Sequence, residues 1–243
     1  MILEDTDQLI ILSGLSVPYL LTKGRKGRVK LTFSDDGKLV IETGNGKLGN
    51  FERQFLKEKS KWLRKHYPSI LRQAKRKSNF LANIDQEIEL LGGTVPLEYV
   101  IDKKTSFKVH EPLKFTIFAP QNHILERKNL LLYYALRAYA DKYLRQKGEE
   151  WAEVCELEFN RIRVKDHKTK WGSCSSLRNI NLNWHLVLLD EPLIDYVIIH
   201  ELMHLHELNH SKRFWNWVGK YHPQYKVSRQ EIKEKQWLIG ILS

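Results

Sequence analysis

The sequence predicts an α+β fold. Residues 1–123 form an amino-terminal part of antiparallel strands with one basic helix, and residues 124–243 a more helical half in which one helix packs beneath a small sheet. Three observations carry this. Period-two alternation of apolar residues fills 29–41 and much of 87–119, the mark of half-buried strands. After Pro120 the apolar spacing changes to three and four, the mark of a helix. The last third holds a capped, largely apolar segment ending in His200-Glu201-Leu202-Met203-His204.

In chain order, Val29, Leu31 and Phe33 alternate with Lys30 and Thr32, Asp35-Asp36-Gly37 supplies a turn, and Leu39 and Ile41 resume the alternation, giving a hairpin. From Phe51 to Lys77, Phe55, Trp62 and Leu63 recur at helical spacing among many lysines and arginines, and Pro68 is expected to break or kink the helix. Its basic face reads either as a solvated flank beside a packed aromatic stripe or as a phosphate-contacting surface. No glycine-rich loop accompanies it, which favours the first. Strands around Leu97–Ile101, Phe107–Val109 and Phe115–Ile117, punctuated by Gly92-Gly93 and Pro112, are expected to pair antiparallel. A long helix runs from Ile124 to about Lys147, with Gly148 near its end. A strand follows at Arg161–Val164, then a loop through Lys170-Trp171-Gly172-Ser173-Cys174, then a strand at Ile180–His185. No internal repeat stands out.

Composition excludes several classes. Among 243 residues, 42% are hydrophobic and 28% charged, as in soluble globular chains. The most apolar stretches, Leu9–Leu21 and Tyr196–Leu205, are short and interrupted, so no membrane span or membrane partner is expected. Met-Ile-Leu-Glu-Asp-Thr-Asp places acidic residues where an export signal carries basic ones. Two cysteines, Cys155 and Cys174, without paired spacing, read as reduced thiols of a cytoplasmic protein. The net charge of +11 would attract nucleic acid or nucleotides, or give only a basic, soluble surface.

The chemistry-bearing residues lie near the end. Asp190 before Glu191-Pro192 announces a helix. Four-residue spacing places His200 and His204 on one face, within reach of one ion. Zinc takes neutral imidazoles, and a catalytic site uses three protein ligands, leaving a position open. Glu201 sits where such helices carry a general base toward a metal-activated water. His210 is the expected third ligand. It lies six residues after His204, but the glycine of the comparable turn is replaced by Glu207. Asn209 is the local candidate for the left-handed residue that ends the helix, and Ser211 for the cap of the next. Glu207 is the rival ligand, although a third donor on one continuous helix would struggle to complete a tetrahedron.

Other groups are open to two readings. Cys174 could be a thiol nucleophile with His167 or His185 as base, or part of a tight turn at Trp171-Gly172. Lys170 and Arg178 could contact an anionic substrate. Asn181 and Asn183 fall on one face of a strand that, as a sheet edge, could align a peptide, or they satisfy local backbone groups. Phe214, Trp215 and Trp217 read as packing.

The residues Trp171-Gly172-Ser173-Cys174, Asn181-Leu182-Asn183-Trp184, His200-Glu201-Leu202-Met203-His204 and Asn209-His210-Ser211-Lys212-Arg213-Phe214-Trp215 together resemble the YgjP-like metal-dependent hydrolases. The earlier hairpins and helices are similar more weakly. The resemblance implies a zincin-type metallopeptidase half related to SprT-like proteases, some of which act on DNA-bound proteins. It also implies one zinc on His200, His204 and His210, and Glu201 as acid/base.

The expected function is therefore zinc-dependent hydrolysis of a peptide or protein. Hydrolysis of a nucleotide phosphoanhydride is the alternative, since zinc and a general base do not distinguish the two bonds. A nucleic-acid-binding module with a structural zinc is the third reading.

Overall fold

The computed structural model describes residues 5–6, 9–12 and 15–242; the reading of the first seven residues as no export signal lies largely outside them. The chain forms two compact units, one up to Ala82 and one from Asn83 onward. Among the described residues no helix is long and apolar enough to cross a membrane.

The first unit contains β1 (Asp5–Thr6), β2 (Leu9–Leu12), β3 (Leu15–Lys23), β4 (Lys30–Phe33), β5 (Leu39–Thr43) and helix α1 (Asn50–Asn83). The sheet order is β1-β2-β3-β5-β4. The expected hairpin forms, with Lys30 opposite Glu42 and Phe33 opposite Leu39. Gly37 in its turn has a φ of 84°, a conformation that favours glycine. Alternation buries Val17, Tyr19, Leu39 and Ile41, and helical spacing brings Leu56, Leu63 and Tyr67 of α1 into the same core. Pro68 does not break α1. Both Pro68 and Arg64, whose carbonyl loses its helical partner there, are exposed, so water can satisfy that oxygen.

The second unit opens by repeating the first. β6 (Glu87–Leu90), β7 (Gly93–Ile101), β8 (Ser106–His110) and β9 (Lys114–Ala119) form a sheet of order β6-β7-β9-β8, the arrangement of β2-β3-β5-β4. The central pair is parallel in both, with Tyr19 beside Leu39 and Leu97 beside Phe115. Ile10, Val17, Tyr19, Leu39, Ile41 and Thr43 have their counterparts in Ile88, Val95, Leu97, Phe115, Ile117 and Ala119, all buried. A 34-residue helix follows each sheet, α1 in one and α2 (Gln121–Val154) in the other. This corrects two expectations. The repeat escapes the sequence because it conserves burial and register more than identity. The sheets are mixed rather than antiparallel, because tight turns fix pairing only within a hairpin, while pairing between hairpins is set by the shared core.

The change of periodicity at residue 123 falls inside the second unit, because α2 packs on the strands that precede it. α2 also outruns its expected end. Gly148 lies under Ile162, whose Cδ1 would be 2.6 Å from an added Cβ, so this glycine permits close packing instead of ending the helix. β10 (Arg161–Lys165), β11 (Gly172–Cys174) and β12 (Asn179–Asn183) then form a sheet of order β10-β12-β11. The expected edge strand, β12, is therefore central, and β11 is an edge. β12 also stops at Asn183, and residues 184–188 form a 3-10 turn. α3 (Glu191–Met203) packs against β11 and β12 and also against α4 (Lys212–Tyr221) and α5 (Tyr225–Glu234).

Candidate metal centre

α3 begins at Asp190, which holds the extended cap conformation without a side-chain cap bond, and Pro192 lies in the first turn. Most of the helix is buried, as expected of one that is apolar nearly all round. It ends at Met203, with His204 as its C-cap. The chain leaves in a tightened turn, Leu205 N–H donating to Leu202 O and His206 N–H to Met203 O. The expected left-handed residue is not used: Asn209 is not among the residues with positive φ. Its side chain shapes the turn instead, donating from Nδ2 to Glu207 Oε1 at 2.9 Å and accepting from Ser211 N–H at 2.9 Å. Ser211 then caps α4 by accepting from Phe214 N–H.

This turn returns His210 to the helix end. One ring nitrogen from each of His200, His204 and His210 lies within 4.8 Å of the others, and His200 Nε2 is 3.0 Å from His210 Nε2. Two nitrogens on one tetrahedral zinc would be about 3.3 Å apart, given bonds of about 2.0–2.1 Å. The donor set therefore fits zinc. His204 Nδ1 donates to the Glu207 carbonyl at 3.0 Å, which orients the ring and leaves its Nε2 lone pair available. His200 Nδ1 is buried and has no hydrogen-bond partner among the described residues. Burial, with the nearby His204 and His210, holds His200 down to about 3, and burial also lowers His210; neutral imidazole is the form that ligates. The Glu207 carboxylate is engaged by Asn209 and lies 3.9 Å from Arg213, and it is not part of the histidine cluster.

Glu201 is buried at a cleft of about 290 Å³ lined also by Lys170, Trp171, Gly172, Tyr196 and His200. Burial pushes its carboxyl up to about 8, against the opposing pull of Lys170 and a Cys174 backbone hydrogen bond. Three imidazoles beside a buried carboxyl can seat a divalent metal and move a proton next to it.

The remaining candidates separate. Burial, then the Glu201 charge, pushes the Cys174 thiol up to about 11, which leaves little thiolate. His185 is fully buried and bound to Asn183 and the Gly240 amide. Asn183 donates to the carbonyls of His167 and Lys170, and Asn181 donates to Ser173 Oγ; both hold the local backbone and strand. Lys170 lines the cleft, whereas the Arg178 guanidinium is held by the Glu158 carbonyl.

Three residues of the site escaped the sequence reading. Gly172 is the first residue of β11, and a Cβ there would stand 2.7 Å from Glu201 Cγ and Oε1. Close approach is a second physical reason for a glycine, besides turning. Phe214, fully buried, stacks on His204 at 4.5 Å and meets His200 and His210 edge-on at 4.9 and 4.8 Å. Its signal was its place three residues after the cap, where α4 first buries a side chain. Tyr196, one turn before His200, faces the same cleft.

Over 82 residues the chain is 34% identical to an uncharacterized protein of Methanocaldococcus jannaschii, a match covering 32% of this chain and 74% of that protein. It is similar to the crystal structure of the metallopeptidase zymogen of Pyrococcus abyssi abylysin, with 26% identity, 38% of this chain and 93% of that one covered, and a TM-score of 0.35. The metallopeptidase zymogen of Methanocaldococcus jannaschii jannalysin gives 27% identity, 38% and 95% coverage, and a TM-score of 0.35. Residues 27–235 match the family described as YgjP-like, metallopeptidase domain, and the chain belongs to that family of metal-dependent peptidases.

Proposed function

We propose that the chain hydrolyses peptide bonds with one zinc ion held by His200, His204 and His210 and with Glu201 as general base. The carrying observation is the convergence of three ring nitrogens within 4.8 Å beside a buried carboxyl. When bound, zinc supplies a Lewis acid for the substrate carbonyl and acidifies water. A divalent cation beside it would draw the Glu201 carboxyl back to its ionised form, in which it takes the proton of the attacking water and passes it to the leaving amine. Its packing against Gly172 fixes its position, and β11, as a sheet edge, offers backbone groups to an extended peptide. Burial keeps the Tyr196 phenol protonated, pushed up to about 12, so it can donate a hydrogen bond into the cleft.

A peptide fits better than a phosphoanhydride, because among the described residues Lys170 is the one lysine or arginine lining the cleft, and polyphosphate calls for several cations. A purely structural zinc would be closed by a fourth protein ligand, and the cluster among the described residues has three. The test compares zinc-loaded wild type with Glu201→Gln on a peptide library and on nucleotides, with metal content measured on both. Equal metal and lost peptide cleavage is expected. No cleavage by the wild type, or release of phosphate that vanishes in the variant, would overturn the peptidase reading.

A further inference from the structure

The positive charge is not spread along the chain. Up to Ala82 there are 17 lysines and arginines against 8 acidic residues, so that +9 of the net +11 sits in the first unit. The repeated architecture makes the contrast sharper. α1 carries ten basic and two acidic residues, whereas its counterpart α2 carries six and five. α2 buries eight residues, with the 184–188 turn and β10 packed on it, while α1 buries four. The helix with more free surface is the cationic one.

On that helix a groove of about 670 Å³ runs beside Lys30 and Leu31 of the edge strand β4. Phe55 and Trp62 line it, one turn and about three turns along from Phe51, which borders an adjoining depression of about 240 Å³ beside Lys26 and Arg28. Trp62 stacks on Phe33 at 6.3 Å, which fixes the ring, yet it stays 45% exposed; Phe51 is 67% exposed. Lys59, Lys61 and Lys65 rise along the groove. Glu58, the one acidic lining residue among the described residues, is held by the Gln54 amide at 3.4 Å. Propped aromatic faces flanked by ammonium groups provide what an unpaired strand needs: surfaces for bases to stack on and cations for the phosphates between them. An acidic peptide would use the lysines and leave the rings idle, and a duplex keeps its base faces hidden.

We propose that this groove between β4 and α1 binds single-stranded nucleic acid through base stacking on Trp62 and its neighbouring phenylalanines, without regard to sequence or sugar. This stands independently of the peptidase reading, since none of these residues lines the metal cleft.

The test uses the full chain and labelled mixed-sequence single strands of about 15 nucleotides, a size that covers one such groove. DNA and RNA strands are compared with the same-sequence duplex and with polyglutamate. Both single strands are expected to bind more tightly than the duplex or polyglutamate and to quench tryptophan fluorescence. Trp62→Ala is expected to weaken single-strand binding about tenfold, and Trp62→Phe to retain most of it while removing the quench. The surface pair Lys59→Glu and Lys65→Glu, which leaves the core untouched, is expected to lower affinity and flatten the salt dependence. Absence of binding at low salt would overturn the proposal. So would equal binding of polyglutamate, a preference for duplex, or indifference to Trp62→Ala together with Lys59→Glu and Lys65→Glu.

Discussion

Gly172 and Glu201 are packed so closely that a methyl group on the glycine would lie 2.7 Å from both Cγ and Oε1 of the glutamate. Gly172→Ala must therefore displace the proposed base without touching a histidine. A shift of about 1 Å at a reacting group costs on the order of a hundredfold in rate. The expected outcome is a fall of that size in kcat with zinc content unchanged, read by steady-state kinetics and metal analysis. Wild-type turnover in the variant would show that Glu201's placement is not what Gly172 provides.

His210 is exposed, yet it completes the cluster, whereas Glu207 gives its carboxylate to Asn209. His210→Ala should lower zinc affinity by roughly a hundredfold or more, since a site worth about 10–16 kcal/mol is shared among few ligands. Glu207→Gln keeps the main-chain carbonyl that holds His204 and should retain zinc. Competitive titration with a chromophoric chelator distinguishes them, and the reverse order would make Glu207 the ligand.

Asn209 links Glu207 to Ser211 and so sets the path that returns His210. Asn209→Ala should cost about 1 kcal/mol of stability and weaken zinc binding about tenfold, the lower end for groups that orient ligands. Thermal melts with and without zinc measure both. An unchanged zinc-induced rise in Tm would mean the turn holds without this side chain.

His185 is buried, with Nδ1 2.8 Å from Asn183 Oδ1 and Nε2 accepting from the Gly240 amide at 3.0 Å. Burial pushes it down to about 4, outweighing the opposite pulls of the Ile241 carbonyl and Asp166. The unfolded imidazole takes up its proton near pH 6.5 and the folded one only near 4. Its contribution is thus complete above 6.5 and is lost as pH falls toward 4, up to about 3 kcal/mol. Denaturant unfolding between pH 7 and 4 should show a steeper loss for wild type than for His185→Gln. Parallel curves would remove His185 from the acid sensitivity.

Several elements were legible because their cause is local. The hairpin at Lys30–Phe33 and Leu39–Thr43 follows from alternation and a glycine turn. The start of α3 at Glu191 follows from Asp190 and Pro192, and the start of α4 from Ser211. Pro68 does not break α1, and the rule against proline in helices carries no information about which carbonyl faces water. Gly148 misled because a glycine that admits Ile162 looks, in sequence, like one that ends a helix. The repeat was hidden because buried positions tolerate exchange, Leu39 for Phe115 and Tyr19 for Leu97, while register persists.

The sequence by itself determined the spacing that puts His200 and His204 on one helix face, with Glu201 between them, since helical periodicity is a property of the local backbone. Only the tertiary structure decided how His210 returns, through the Asn209 side chain instead of a left-handed residue. It also decided that Gly172, distant in sequence, would lie against Glu201, that Phe214 would brace the three imidazoles, and that β12 would be central. These are contacts between segments joined by packing, and the pattern of one segment carries no record of the surface it will meet.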